Sequence, residues 1–420
     1  MKKLFLALVV ATSLLAVSAP VYAGLIFLPT TYGMSPKSIG LGGAMTAVGD
    51  DYSATFYNPA ALATLRTNQL DAGYLYAAPR LNGGPNGDEV DFKTDTKATV
   101  IGFSMDLSGL FNNDHGVGLG FDMMVDNNLK SFMSFEDIRD DDGQFMRYGI
   151  SSVTMITGLG VQIIPQLHIG GGGIVMIKGE NTLIADTDMA GNTKNEQIKV
   201  DAEPVIAPIV SLYAPVHPII SLGATYRGKA AAEFSKIDAS TNALVSDSPL
   251  TTLDLMMAFK DAYIPQQVSF GVAVFPIEPL TISVDMTWYN WDDYDDTVAK
   301  GDVVKEDSTF ETKDTYVPRL GIEYIFVEQI YARFGYFWED TPFVDPGLGD
   351  TAVLDNQKHA VSVGVAHDID YIPFLKHPLT IGATYFYHYL VPRKVTPDGG
   401  QELESSGSIN GVIGSLTLRF

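Results

Sequence analysis

The stretch "GATYRGKA" (223–230) comes nearest to a phosphate-binding loop. It carries Ala230 where a magnesium-binding hydroxyl is required, and its alternation reads as a strand. "IGGGGIV" (169–175) has the glycines but no Gly-Lys pair. No HExxH and no GxSxG occurs, so zinc-protease and serine-hydrolase chemistry lack their ligands and nucleophile. The chain is therefore expected to be no enzyme and to need no cofactor or metal. What remains is a set of charges spaced to fall on one face of extended segments: Arg227, Lys229, Asp285, Arg319, Glu323 and Arg333. They could hold the carboxylate head of a ligand, or pair with one another and brace a polar interior. Which of these they do depends on the elements that carry them.

The first 23 residues are read as an export signal. Lys2 and Lys3 supply the charged start, Leu4 to Val17 the apolar run, and Val21-Tyr22-Ala23 the cleavage site before Gly24. The chain holds 50 acidic against 27 basic residues, a net charge of −23, which repels phosphate and argues against nucleic acid as a partner. It has no cysteine, so a disulfide scaffold is excluded, leaving a large core or a membrane as the source of stability. No later apolar run approaches the ~18 residues of a spanning helix.

From residue 67 to 420 the pattern has period 2. In "GVIGSLTLRF" (411–420), Val412, Gly414, Leu416, Leu418 and Phe420 share one face, and Ile413, Ser415, Thr417 and Arg419 the other. Leu280, Ile282, Val284, Met286 and Trp288 likewise oppose Thr281, Ser283, Asp285 and Thr287. About fourteen such strands can be counted, joined by connections that alternate short and long. The short ones include 164–166, 214–217, 276–279 and 327–329; the long ones include 127–146, 179–194, 234–251 and 293–314. That asymmetry, with the clusters "TWYNW" (287–291) and "YFYHY" (385–389) as interfacial girdles, predicts an all-β, antiparallel outer-membrane β-barrel. A soluble sandwich or propeller would also alternate, but it would not explain strict long and short loops around strands of this length. The stretch "LTTLDLMMAF" (250–259) keeps period 2 and is taken as strand, with a short loop helix as the alternative.

Residues 24–66 do not fit this pattern. Gly40, Gly42 and Gly43 allow close backbone packing, Asp50 or Asp51 is placed to cap a helix start, and Asn58 suits a left-handed helix end with Pro59 opening the next turn. A barrel of this size encloses more space than its own side chains fill, so a compact N-terminal piece is expected to fold into the lumen as a helical hatch. An arm lying under the barrel is the plainer alternative. "GLGGAMTAVGDDYSATFYNPAALA" (40–63) resembles the N-terminal signature of the FadL family of outer-membrane transporters for long-chain fatty acids and hydrocarbons, which includes the toluene transporters, and Asn58-Pro59-Ala60 matches its hatch motif. "IPQQVSFGVAVFPIEPLTISVDMTWYNW" (264–291) and residues 333–367 resemble later strands of that family.

The resemblance implies passive uptake of a hydrophobic molecule. It would be captured at outer loops, held in a lumen pocket and released by a hatch rearrangement, leaving sideways through the wall into the bilayer. Burying apolar surface is worth roughly 25 cal/mol per Å², so a lateral exit that avoids periplasmic water has a clear physical motive. In the family the wall opens at a kink of the third strand. Here that strand is "HGVGLGFDMMVD" (115–126), where Gly118, Gly120 and Asp122 are the lateral-opening candidates or simply make room for the hatch. Asp122-Met123-Met124 departs from the Pro-Phe-Gly-like continuation common among relatives. Leu183, Ile184 and Met189, with Leu244, Val245 and Leu250, are candidates for an outer entry groove or for ordinary loop packing. Expected partners are the ligand, outer-membrane lipid and lipopolysaccharide, and the barrel-assembly machinery, through the last strand ending on Phe420; the family works as a monomer. The rivals are an open porin for polar solutes, which would lack a plug, and a lipid-acting outer-membrane enzyme. In planar bilayers the intact protein should be nearly silent, and a version lacking residues 24–66 should open a steady, large channel.

Overall fold

The computed structural model describes residues 27–85, 95–110, 115–126, 134–136, 144–147, 154–188, 193–245, 248–294, 312–327, 329–344, 356–370, 372, 375–395 and 402–420. The expected export signal, 1–23, and the candidate Met189 lie outside them. Three short helices come first: α1 (Leu28–Thr31), α2 (Pro36–Gly40) and α3 (Ala54–Tyr57), then a 3-10 turn at Pro59–Thr64. The strands follow as β1 (Gln69–Pro85), β2 (Thr96–Asp106), β3 (Val117–Asp126), β4 (Ser134–Glu136), β5 (Gln144–Arg147), β6 (Thr154–Ile164), β7 (Leu167–Asp188), β8 (Thr193–His217) and β9 (Ile220–Arg227). After these come β10 (Ala230–Val245), β11 (Ser248–Ile264), β12 (Gln266–Ile277), β13 (Leu280–Asn290), β14 (Thr315–Phe326), β15 (Ile330–Glu339), β16 (Lys358–Ile369), β17 (Leu379–Val395) and β18 (Leu403–Arg419).

Fourteen of these strands close into an antiparallel ring, the fold expected from the alternation. β1 pairs with β18 along its whole length, from Gln69 opposite Arg419 to Pro85 opposite Leu403, and β7 pairs with β8 to complete the circuit. Closure pairs the backbone groups of every wall strand, the condition for crossing a hydrocarbon layer with strands. Asn68 and Phe420 exchange two backbone hydrogen bonds at 3.2 and 3.1 Å, so both ends of the barrel sequence meet on the rim that carries the tight turns.

The faces follow the period-2 pattern. Val284 and Met286 are exposed on the outside, while Ser283, Asp285 and Thr287 are buried inside; Val412 and Leu416 are exposed, and Ile413 and Ser415 are buried. The exterior is apolar, and the interior mixes small and polar residues with buried apolar ones such as Val100, Met124, Ile156 and Ile174. The "YFYHY" cluster divides the same way: Tyr385 and Tyr389 face outward, whereas Phe386 and His388 are buried inside.

Two features differ from the sequence reading. The alternation that continues past 250–259 without an expected break is two strands, β11 and β12, separated at Pro265, whose missing N–H interrupts a ladder. The stretch 250–259 is indeed strand, within β11. β10 and β11 form an antiparallel hairpin outside the ring, joined to the outer part of β7 by parallel pairing of Ile237–Leu244 with Asn181–Asp188. Much of 179–194 and 234–251 is therefore paired strand and not irregular loop. Their backbones satisfy each other beyond the wall, where no further ring neighbour is available.

The N-terminal residues lie inside the ring, touching wall strands around its circumference. Thr46 meets β12 and β13, Ala47 meets β9, Ala60 meets β7 and β8, Leu62 meets β3, Leu41 meets β14, and Pro36 meets β17. Glycines on the inner wall permit this approach. A Cβ at Gly118 or Gly160 would collide with the backbone of Leu62 or Pro59, and one at Gly223 with the carbonyl of Thr46. Gly223→Val should push the N-terminal segment off β9 while leaving the ring intact. The expected result is raised ion conductance in planar bilayers with unchanged heat-modifiable migration on gels.

Candidate functional site

The Asn58-Pro59-Ala60 motif sits where two turns of the N-terminal segment meet the wall. The Asn58 side-chain amide donates to the Thr46 carbonyl at 2.7 Å and to the Leu212 carbonyl of β8 at 2.9 Å. Its side-chain oxygen accepts from Ala60 N–H at 3.1 Å, and that N–H also donates to Ser211 Oγ at 2.9 Å. An amide is the side chain for this position because it donates twice and accepts at once. Asn58 is not left-handed, as its helix-end reading required; its φ is −159°. It caps the following 3-10 turn, which Pro59 begins.

The acidic pair also works differently from the expected helix cap. Asp51 accepts from Ser53 N–H at 3.1 Å, from Ser53 Oγ at 2.6 Å and from Ser35 Oγ at 2.9 Å, forming a turn ahead of α3 and tying it to α2. Asp50 makes no cap; it accepts from Lys37 Nζ at 2.6 Å, and its side chain is 62% exposed to the lumen. Gly42 and Gly43 have φ of 60° and 77°, and Gly42 lies against the backbone of Tyr336, an approach that only glycine permits.

Five of the six predicted wall charges hold this segment. Arg227 is buried, stacks over the Phe56 ring at 4.3 Å, and donates to the carbonyls of Phe56 (3.0 and 2.7 Å) and Tyr57 (3.3 Å) at the end of α3. Asp285 accepts from Thr46 N–H at 2.8 Å. Arg319 donates to the Gly42 carbonyl at 3.1 Å. Glu323 binds Lys37 at 2.9 Å and Arg333 at 2.6 Å, linking α2 to β14 and β15. Lys229 is the exception: it lies exposed at the outer edge and pairs with Asp293 at 2.6 Å. Burial works against the Lys37 ammonium, but Asp50 and Glu323 outweigh it and hold its pKa above the ordinary lysine range. Burial, reinforced by neighbouring Asp50, holds Asp51 above the usual carboxylate range.

Lys37, Thr46 and Ser211 carry much of this bracing and were not singled out from sequence. Lys37 alone gave a signal: it is the single cation between Gly24 and Leu65. Between α1, α3 and the wall lies a cavity lined by Tyr32, Phe56, Phe337 and Phe386 on one side and by Arg227 and Arg319 on the other, with a free volume of about 30 Å³.

Gly118, Gly120 and Asp122 all face the segment. Gly118 meets Leu62 and Gly120 meets Thr55. β3 pairs with β2 from Gly118 to Asp126 and with β6 from Val117 to Met124, without a register shift, so the wall is closed here in this conformation. Of the groove candidates, Leu183 and Ile184 lie on β7 opposite Ala239 and Ser240 of β10, Leu244 and Val245 end β10, and Leu250 lies on β11. The two stretches are thus side by side in backbone register.

The sequence profile described as "Outer membrane protein transport protein (OMPP1/FadL/TodX)" matches residues 31–398. The chain belongs to the FadL/TodX family. It is therefore a protein of the bacterial outer membrane, from a family of transport channels and not of enzymes. It is similar to alkane uptake protein A of Marinobacter nauticus, 26% identical over 438 residues covering 98% of this chain and 96% of that protein. Among solved structures, a FadL homologue of Pseudomonas aeruginosa superposes with a TM-score of 0.62 at 12% identity, over 92% of this chain and 98% of the other. The toluene transporter TodX of Pseudomonas putida gives 0.56 at 16% identity, over 93% and 99%. These family members share the barrel fold.

Removing Glu323 would leave Lys37 and Arg333 buried without their shared anion. In Glu323→Ala a loss of about 3–5 kcal/mol is expected, the cost of an uncompensated buried charge. It should appear as a lower urea midpoint in detergent, with Glu323→Asp intermediate.

Proposed function

We propose that this protein is an outer-membrane channel for the passive uptake of hydrophobic molecules, with residues 24–66 acting as a movable hatch. One observation carries the reading: the segment presses against inner-wall glycines around the ring, Leu62 at Gly118, Thr46 at Gly223 and Leu41 at Gly321, and so occupies the path through the lumen. Transport therefore requires the hatch to shift. The likeness to an alkane uptake protein supports hydrocarbons as the cargo. An open porin for polar solutes is disfavoured by the same filled lumen. Capture is assigned to the outer extension of β7 and β10, around Leu183, Ile184, Leu244, Val245 and Leu250. The hatch then releases the cargo toward the wall near Gly118, Gly120 and Asp122, from which it enters the bilayer. The polar lumen residues Arg227, Asp285, Arg319, Glu323 and Arg333 act as the hatch's braces. The protein acts as a monomer among lipid and lipopolysaccharide, and its last strand addresses the assembly machinery.

The chain contains no cysteine, so a disulfide can be introduced without competition. A Cβ at Gly120 would stand 3.0 Å from Thr55 Cβ, a few tenths of an ångström inside the usual disulfide separation of about 3.5–4.5 Å. Thr55→Cys with Gly120→Cys should lock the hatch to β3. Under oxidant, uptake of radiolabelled hexadecane by cells should fall to the level without the protein, and reductant should restore it. Uptake that is equally fast in the cross-linked form would overturn the hatch.

A further inference from the structure

The register of the first three strands places Asp71, Gly102 and Asp122 directly opposite one another across β1, β2 and β3. All three face the lumen, and both carboxylates are fully buried. The central position is empty of side chain, and the Tyr52 ring of the hatch fills it: a Cβ on Gly102 would collide with the ring carbons. Tyr52 is 2% exposed and its hydroxyl donates to the Met34 carbonyl at 2.9 Å. The ring is thus seated in a niche with an acid on each side. Burial, and next the charges of Asp71, Asp51 and Asp122, hold its phenol well above the ordinary range, in keeping with that position.

The two acids are held differently. Asp71 Oδ2 accepts from Ser415 Oγ at 3.0 Å and from Thr417 Oγ1 at 2.5 Å, both on β18. Asp122 has no hydrogen-bond donor to either carboxylate oxygen among the described residues, and the buried Ser104 hydroxyl on β2 also lacks a partner. Elsewhere around the hatch the corresponding wall charges are matched: Glu323 by Lys37 and Arg333, Arg227 by the end of α3, and Arg319 by Gly42. A buried carboxyl group without hydrogen-bond partners, ionised or protonated, is unfavourable only as long as water is kept from it. Withdrawing Tyr52 would let lumen water reach Asp122. On the β1–β3 side the hatch is therefore held by packing, against Gly102, Gly118 and Gly120, and by no ion pair among the described residues.

Resting on the hatch reading above, we propose that Tyr52 is the gate residue of this transporter, and that Asp122 biases it toward opening. The cargo passes into the niche over Gly102 when the ring leaves, beside the stretch of wall assigned as the exit. Asp122 is a positioning residue: it touches no cargo while the gate is shut and acts through the seat of Tyr52.

The test uses the full-length protein, hexadecane uptake by cells, and planar-bilayer conductance, with heat-modifiable migration as the check on folding. Asp122→Ala removes the unmatched carboxylate, so the gate should stay seated and uptake should fall at least threefold, with conductance no higher than in the wild type. Tyr52→Ala should raise conductance at least threefold and leave uptake undiminished. Gly102→Ala, whose methyl group displaces the ring, should raise conductance as well. Combining Gly102→Ala with Tyr52→Ala should add nothing beyond Tyr52→Ala alone, because the methyl then has no ring to displace. A folded Asp122→Ala protein with unchanged or faster uptake overturns the bias. Additive effects in the double variant, or a silent Tyr52→Ala, overturn the gate. If the Thr55–Gly120 lock leaves wild-type uptake untouched, the hatch reading fails first, and that result is separate from these.

Discussion

Closing a sheet inside hydrocarbon is the constraint on which the rest of this structure depends. The pairing of β1 with β18 removes the last unpaired strand edges of the ring and fixes the positions of both its ends. It also creates a difficulty of its own. A ring of fourteen strands has a lumen that the wall side chains do not fill, and an unfilled lumen is a water channel. The N-terminal segment, the inner-wall glycines and the inward charges are all answers to that one geometric fact.

The answer is partly polar where a soluble protein would be wholly apolar. The outer face of the wall already holds the large hydrophobic side chains, because lipid surrounds it. Alternation then lets small, hydroxylic and charged residues face inward, beside apolar ones such as Val100, Met124 and Ile174 that pack on the segment. The segment is secured in two ways: Met34, Leu41, Met45 and Phe56 join a buried apolar cluster with wall residues such as Val100, Met124 and Ile174, and donors and acceptors are matched to its backbone, Asn58 to Thr46 and Leu212, Arg227 to the end of α3, Asp285 to Thr46. Such bonds are directional and exchangeable for bonds to water.

The bracing is also uneven. On the β14–β15 side a buried Lys37–Glu323–Arg333 chain links segment to wall; on the β1–β3 side an aromatic ring rests over a glycine between two acids, one of them unmatched. This asymmetry gives the lumen an ion-paired side and a side held by packing alone, without any break in the hydrogen-bonded wall. The ladders of β3 show why no standing gap is needed: a closed wall beside a poorly satisfied seat can remain sealed until the seat changes.

The sequence by itself determined the wall, because outward and inward residues alternate under opposite solvents and the period survives without any knowledge of partners. It determined the lumen-facing set for the same reason: Arg227, Asp285, Arg319, Glu323 and Arg333 fall on the inward face by parity alone. What those charges do was not legible, since Lys37 lies 286 positions from Glu323 and no local pattern connects them. The Asn58 backbone was misread because its amide serves a contact with β8, and tertiary partners overrode the local preference for a helix end. The parallel pairing of β10 with β7 likewise depended on which strand edge was free beyond the ring. Tertiary structure alone decided that Tyr52 rests over Gly102 between Asp71 and Asp122, because that niche exists only after three strands are in register and a distant segment has folded back against them.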